Sequence, residues 1–103
     1  MKVCFGFSET VLEQLQAVFE DYVDIDAVWI YGSRARGDFQ EGSDVDIAID
    51  APKMNAVVFA QLWNAIEGLP VVYTFDVVHL QKLVNQSLLK NIDRDKQLLY
   101  RRK

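Results

Sequence analysis

The sequence predicts a small α/β protein, an α+β arrangement in which a small mixed β-sheet is flanked by helices. Two kinds of segment carry this prediction: three stretches in which apolar residues recur at helical spacing, and three short apolar or alternating runs typical of strands. The hydrophobic fraction of 50 % and the charged fraction of 25 % exclude disordered and low-complexity structure. Since the chain has 103 residues, we expect a single domain over residues 1–103.

The first helix is predicted to begin after Ser8, because serine is a residue type favoured at helix N-caps. The acidic stretch 20–26 is expected to end it. Between these points one helical face collects six apolar residues, which are Val11, Leu12, Leu15, Val18, Phe19 and Tyr22.

Two strands are predicted on either side of a short polar connection. Residues 27–31 are apolar, β-branched or aromatic and indicate a buried strand, whereas residues 44–50 alternate apolar with mainly acidic side chains and indicate a half-buried one. The connection over residues 34–42 is polar and contains glycine, which predicts a loop or a short helical turn. Because it is too short for a parallel crossover, we expect the strands to be antiparallel or joined by a very short helix.

The second half of the chain predicts a helix over residues 55–69, ended by Pro70, and then a third strand over residues 71–78. A further helix is indicated by four residues at helical spacing, Leu80, Leu83, Val84 and Leu88. Residues 93–103 receive no assignment. The helix over 55–69 carries more apolar residues than one stripe needs, for which core packing or a partner surface are the two explanations; the surplus residues are Val57, Phe59 and Trp63.

Composition excludes several classes of protein. The net charge of −4 and the pI of about 4.8 argue against direct binding to a nucleic-acid backbone. A lone cysteine, Cys4, and a lone histidine, His79, exclude a disulfide framework and a Cys- or His-based metal cluster, and we expect His79 to lie at the surface at a strand end. The apolar runs are far shorter than a membrane span, and the N-terminus does not resemble a signal peptide, so we expect a cytoplasmic protein.

Five residues are candidates for chemistry. Gly32 and Ser33 directly follow the first strand, which is typical of a turn with a helix cap and also of an anion-binding turn. Asp44 and Asp46 are two apart in a strand, so both carboxylates point to one face, where they face solvent or share a cation such as Mg²⁺. Asp76 interrupts an apolar run, which indicates either an exposed edge position or a partner such as a metal.

Together these residues resemble a known signature. The pattern Gly32-Ser33, ten residues, then Asp44-Val45-Asp46 resembles that of the DNA polymerase β-like nucleotidyltransferase superfamily, in particular its minimal nucleotidyltransferase (MNT) domain. The resemblance covers about residues 10 to 80 and implies the polymerase β-like fold, with the chain forming one MNT domain. It also implies a third carboxylate on a later strand, the position that Asp76 matches.

The resemblance implies a role for each of these residues. Asp44, Asp46 and Asp76 would be catalytic and hold two Mg²⁺ ions, while Gly32 and Ser33 would bind the phosphates of ATP, the substrate. The arginines of the motif have two readings, neutralisation of the triphosphate or pairing with acidic residues such as Asp38 and Glu41; the residues concerned are Arg34 and Arg36.

The expected partner also comes from the resemblance. MNT proteins of this length resemble antitoxins that pair with a small helical HEPN-domain ribonuclease toxin and transfer AMP from ATP to a tyrosine hydroxyl of it. This chain has no acceptor-holding domain in its 103 residues, so we expect a hetero-oligomer with such a toxin, or a homodimer. Two alternatives remain open: a non-catalytic binding module that inhibits by occlusion, and a nucleotidyltransferase acting on a small molecule.

Overall fold

A computed structural model describes residues 3–102, with side chains from residue 5 onwards. Within these residues the chain forms six strands, four α-helices and one 3₁₀ turn. In chain order these are β1 (Val3–Cys4), β2 (Phe7–Ser8), α1 (Glu9–Glu20), β3 (Ala27–Tyr31), α2 (Gly32–Arg36), β4 (Val45–Asp50), α3 (Ala56–Glu67), β5 (Phe75–His79), the 3₁₀ turn (Leu80–Lys82), α4 (Gln86–Asp95) and β6 (Gln97–Arg101).

A four-stranded mixed sheet organises the molecule. Its strand order is β5-β4-β3-β6, in which β3 pairs antiparallel with both β4 and β6 while β4 and β5 are parallel. The C-terminal end of β3 therefore lies beside the N-terminal ends of β4 and β5. The predicted mixed sheet is confirmed, and so is the antiparallel pairing of the first two predicted strands, which are joined by the short helix α2.

The two faces of the sheet are covered differently. Alternate residues such as Val28, Ile47 and Val77 point to a core that α1 and α3 close. The other face carries a smaller cluster of Tyr31 and Ala48, on which Ile92 of α4 packs. Asp76 on this second face is exposed, and the candidate site lies on the same face.

The third strand is shorter than the sequence predicted. It begins at Phe75, not at residue 71, because Pro70 is followed by an irregular segment in which Val72 is 93 % exposed. The following helix also differs: residues 80–82 form a separate 3₁₀ turn, and α4 begins only after Asn85, whose side chain accepts a hydrogen bond from the Leu88 N–H.

The prediction of a surface histidine was wrong. His79 is 6 % exposed, because in β5 it points to the same face as Val77 and stacks on the Phe59 ring at 5.1 Å. Its Nε2 lies 2.8 Å from the Ala51 carbonyl oxygen. Of the surplus apolar residues of α3, Phe59 and Trp63 pack against the core, whereas Val57 is 68 % exposed.

The unassigned end of the chain completes the sheet. Residues 97–101 form the edge strand β6, and Arg102 closes the end of α1 by donating to the carbonyl oxygens of Phe19, Glu20 and Tyr22, with a further bond to that of Ile25. Such bonds satisfy carbonyls that a helix end leaves free. Within residues 3–102 no helix has the length and apolar character needed to cross a membrane.

Candidate active site

A tight turn at the end of β3 brings the backbone against a carboxylate. Gly32 has φ +73°, a left-handed conformation that glycine adopts without strain. A Cβ at this position would lie 2.5 Å from Oδ2 of Asp46, far inside van der Waals contact. The turn therefore requires glycine for two reasons, its backbone angle and its close approach to Asp46. Ser33 follows in the first turn of α2, which ends at Gly37.

Two of the predicted carboxylates are neighbours across the sheet. Asp46 of β4 is in register with Asp76 of β5, and because the two strands are parallel neighbours both side chains point to the same face. On its other side Asp46 is in register with Tyr31, the last residue of β3. Asp46 is half-buried and Asp76 exposed, while Asp44 is exposed and precedes the first residue of β4.

The electrostatics link all three carboxylates. Burial raises the pKa of Asp46 above its ordinary value of 3.8, and the charges of Asp76 and Asp44 raise it further. Two arginines, Arg34 and Arg36, oppose this shift weakly. Of the four ion pairs formed within residues 3–102, none involves these aspartates. The site is therefore a concentration of negative charge without a matching cation of its own.

Tyr31 is a member of this site that the sequence analysis missed. It is 5 % exposed, and burial raises the pKa of its hydroxyl well above 10.0, with further contributions from the charges of Asp46 and Asp76. The signal was available, because Tyr31 immediately precedes Gly32 and alternates with Trp29 on the same face of β3. Tyr31 forms the wall of the site opposite Asp76.

The donor set fits Mg²⁺. Carboxylate oxygens are the ligands that this ion prefers, and a divalent cation relieves the repulsion that raises the pKa of Asp46. Among the side chains that the structure describes, no three His, Cys, Asp or Glu residues are close enough to form an assembled metal site. The chain thus brings Asp46 and Asp76 side by side with Asp44 within electrostatic range, and a cation would draw their oxygens together.

The two arginines of the motif are committed to the protein. Arg34 is 3 % exposed and donates to the carbonyl oxygens of Ser43 and Phe5. Arg36 pairs with Asp38 at 3.1 Å, as one of its two readings expected, and also with Asp95 at 2.8 Å.

Asp95 is a structural carboxylate that fixes α2 against α4. Its side chain is 4 % exposed and accepts hydrogen bonds from Arg94 and Arg36, which lower its pKa to about 2 despite its burial. Beside it, Gln97 donates to the Ala35 carbonyl oxygen at 2.7 Å. The sequence held no signal for this anchor, because it depends on where α4 and β6 run.

Comparisons with known proteins agree with this fold. A curated relative from Methanocaldococcus jannaschii, named "Putative protein adenylyltransferase MJ1379", is 25 % identical over 87 residues, which cover 82 % of this chain and 87 % of the relative. A crystal structure described as a toxin-antitoxin with AMP-PNP superposes with a TM-score of 0.71 at 17 % identity, covering 89 % of this chain and 74 % of the other.

A third comparison concerns a protein of similar size. The structure described as a "putative minimal nucleotidyltransferase" superposes with a TM-score of 0.65 at 28 % identity, covering 86 % of this chain and 92 % of the other. The sequence model of the family "Polymerase beta, Nucleotidyltransferase" matches residues 13–103, which include every residue of the site. This chain therefore belongs to the polymerase beta nucleotidyltransferase family and is a nucleotidyltransferase.

Proposed function

We propose that this chain is a single-domain, Mg²⁺-dependent protein adenylyltransferase that transfers AMP from ATP to a tyrosine hydroxyl of a HEPN ribonuclease toxin and so acts as its antitoxin. The observation that carries the proposal is the register of Asp46 with Asp76, with Gly32 packed against Asp46. The name of the archaeal relative and the likeness to a toxin-antitoxin that holds AMP-PNP support the choice of nucleotide and of partner.

Each residue has a part in this reaction. Asp44 and Asp46 would hold the Mg²⁺ ion that accompanies ATP, and Asp76 would help to hold a second ion that acts on the acceptor hydroxyl. Gly32 and Ser33 bind the phosphates at the turn before α2. Mg²⁺, when bound, lowers the pKa of the acceptor hydroxyl and neutralises charge on the triphosphate. The acceptor oxygen then bonds to the α-phosphorus, the bond to the bridging oxygen breaks, pyrophosphate leaves, and the hydroxyl proton passes to solvent.

The central experiment measures AMP transfer together with toxin activity. The candidate to test would be a small helical ribonuclease encoded beside this chain, whose mass is followed after incubation with ATP and Mg²⁺. We expect the double variant Asp44→Ala/Asp46→Ala to transfer at least about a hundredfold more slowly, because the anchoring charges are gone. The matched control, Asp21→Ala/Asp26→Ala, removes the same charge beyond the opposite end of β3 and should transfer AMP at the wild-type rate.

The outcomes separate the alternatives. A double variant that transfers AMP at the wild-type rate would show that the enzymatic site is wrongly assigned. A wild-type chain that inhibits the ribonuclease without modifying it would identify a binding module that acts by occlusion. Modification of a small molecule, with the ribonuclease unmodified, would identify the third class.

Asp76 is expected to differ from the other two carboxylates. Because it acts mainly on the acceptor hydroxyl, Asp76→Ala should leave ATP binding more intact than Asp46→Ala while slowing transfer strongly. ATP affinity measured by calorimetry, beside the single-turnover rate, separates the two effects. Equal losses of ATP affinity in both variants would contradict the division of roles.

A further inference from the structure

Arg34 is a buried cation that the proposed reaction does not use. It is 3 % exposed, and within residues 3–102 it forms no ion pair with a carboxylate. Burying an unpaired charge is costly, so the structure must compensate it. The compensation comes from two backbone carbonyls and two aromatic rings, with the guanidinium carbon 4.8 Å from the centre of the Phe39 ring and 5.2 Å from that of Tyr73.

The hydrogen bonds of Arg34 join the two halves of the candidate site. Its Nε and Nη2 both donate to the carbonyl oxygen of Ser43, at 3.2 and 2.9 Å, and its Nη1 donates to that of Phe5 at 2.9 Å. Ser43 is the residue immediately before Asp44, whereas Arg34 itself lies in α2, directly after Ser33. The Arg34 side chain therefore connects the Gly32-Ser33 turn to the segment directly before Asp44.

Arg36, the other arginine of the motif, has different partners. It is exposed and pairs with Asp38 and Asp95. Arg34 is the arginine of α2 whose hydrogen bonds reach the Ser43 carbonyl oxygen, directly before Asp44.

We propose that Arg34 is a positioning residue, which fixes the distance between the Gly32-Ser33 turn and the carboxylates of Asp44 and Asp46 and so prepares them for a divalent cation. The proposal rests on the proposed function for the presence of that cation. Lysine cannot take this role, because it would keep the charge but lacks the planar fork that donates twice to one carbonyl oxygen.

Binding of Mn²⁺ to the nucleotide-free chain tests the proposal without any acceptor. The titration is followed by electron paramagnetic resonance, well below the unfolding temperature of each variant. We expect Arg34→Lys to bind Mn²⁺ about ten- to a hundredfold more weakly, as for other residues that orient metal ligands, and Arg34→Met at least as weakly. The control Arg101→Met removes an exposed arginine at the far end of the sheet and should bind as the wild type does.

A milder variant covers the case in which the Arg34 substitutions do not fold. Phe39→Leu keeps every hydrogen bond of Arg34 but loosens one of its aromatic covers, so its Mn²⁺ affinity should fall between those of the wild type and Arg34→Lys. Wild-type Mn²⁺ affinity in folded Arg34→Lys, or in Phe39→Leu where the former is unfolded, overturns the proposal. If the wild type binds Mn²⁺ but modifies no ribonuclease, the proposed function fails while the role of Arg34 stands.

Discussion

Asp46 and Asp95 both lie against helix α2, but the pKa of Asp46 is raised and that of Asp95 is lowered. Asp95 is almost fully buried and accepts hydrogen bonds from two arginines, Arg94 and Arg36, so its pKa falls to about 2. Asp46 is half-buried, has two other carboxylates for neighbours, and has a raised pKa. Asp95 therefore stabilises the fold near the end of α2, whereas Asp46 destabilises it at the start of that helix.

The comparison of these two aspartates distinguishes a structural carboxylate from a candidate ligand of a cation. A carboxylate whose charge is fully compensated, like that of Asp95, holds α2 and α4 together and has nothing left to offer a ligand. The repulsion around Asp46 costs stability, and such strained titratable groups are concentrated at functional sites. Asp46 forms no ion pair within residues 3–102, so its negative charge remains available to a bound cation.

The largest effect on AMP transfer is expected from adding a side chain at Gly32, next to Asp46. Gly32→Ala and Gly37→Ala both place alanine at a positive φ, which costs about 1–2 kcal/mol in each case. Only at Gly32 does the added methyl group also meet Asp46, whereas nothing lies within 4 Å of it at Gly37. AMP transfer should fall about a hundredfold in Gly32→Ala and stay near wild type in Gly37→Ala. Equal losses in the two variants would assign the effect to backbone strain alone.

The next test replaces each of the two aspartates, Asp46 and Asp95, with its neutral isostere asparagine. Asp46→Asn should raise the unfolding temperature of the metal-free chain, because it removes like-charge repulsion, whereas Asp95→Asn should lower it, because it leaves two arginines without their partner. Adding Mg²⁺ should stabilise the wild type and not Asp46→Asn. Thermal unfolding with and without Mg²⁺ checks all three expectations, and a shift of the same sign in both variants would refute the contrast.

The smallest effect is the pH dependence of this contrast. The folded pKa of Asp95 is below its ordinary 3.8, so its contribution to stability is present above that value and is lost as the pH falls toward 2. The folded pKa of Asp46 is raised, so its penalty is absent below 3.8 and grows as the pH rises through the folded value. Urea unfolding of the wild type and both asparagine variants, from about pH 3 to about pH 7, should give differences that widen with pH in opposite directions.

The sequence predicted the strands correctly where the pattern of apolar residues lies within one short segment. The apolar alternation of residues 44–50 predicted β4, and the run 27–31 predicted β3 with its boundaries as observed. The motif likewise led to Gly32, Asp46 and Asp76, which the register of the sheet places together. The predictions of β3 and β4 hold because each depends on residues that are close along the chain.

The features that were missed depend on distant partners. Strand β6 has one buried residue, Leu99, so its pattern is too weak to indicate a strand until β3 is beside it. The two readings of Arg34, charge neutralisation on a triphosphate or pairing with acidic residues, did not include its observed partners. These are the backbone carbonyl oxygens of Phe5 and Ser43, which the sequence pattern does not indicate. His79 was misjudged for the same reason, because its burial depends on Phe59 of another element.

The position of β3 between β4 and β6 has a consequence for the order of synthesis. Ala27 pairs with Arg101, and Gln97 supports α2 through the Ala35 carbonyl oxygen. The strand and helix that meet at the Gly32-Ser33 turn are therefore held by the element made last among those described. On a ribosome, β3 has one unpaired edge until residues 97–101 have left the exit tunnel. A nascent chain therefore carries the motif before β3 and α2 have made their contacts with β6.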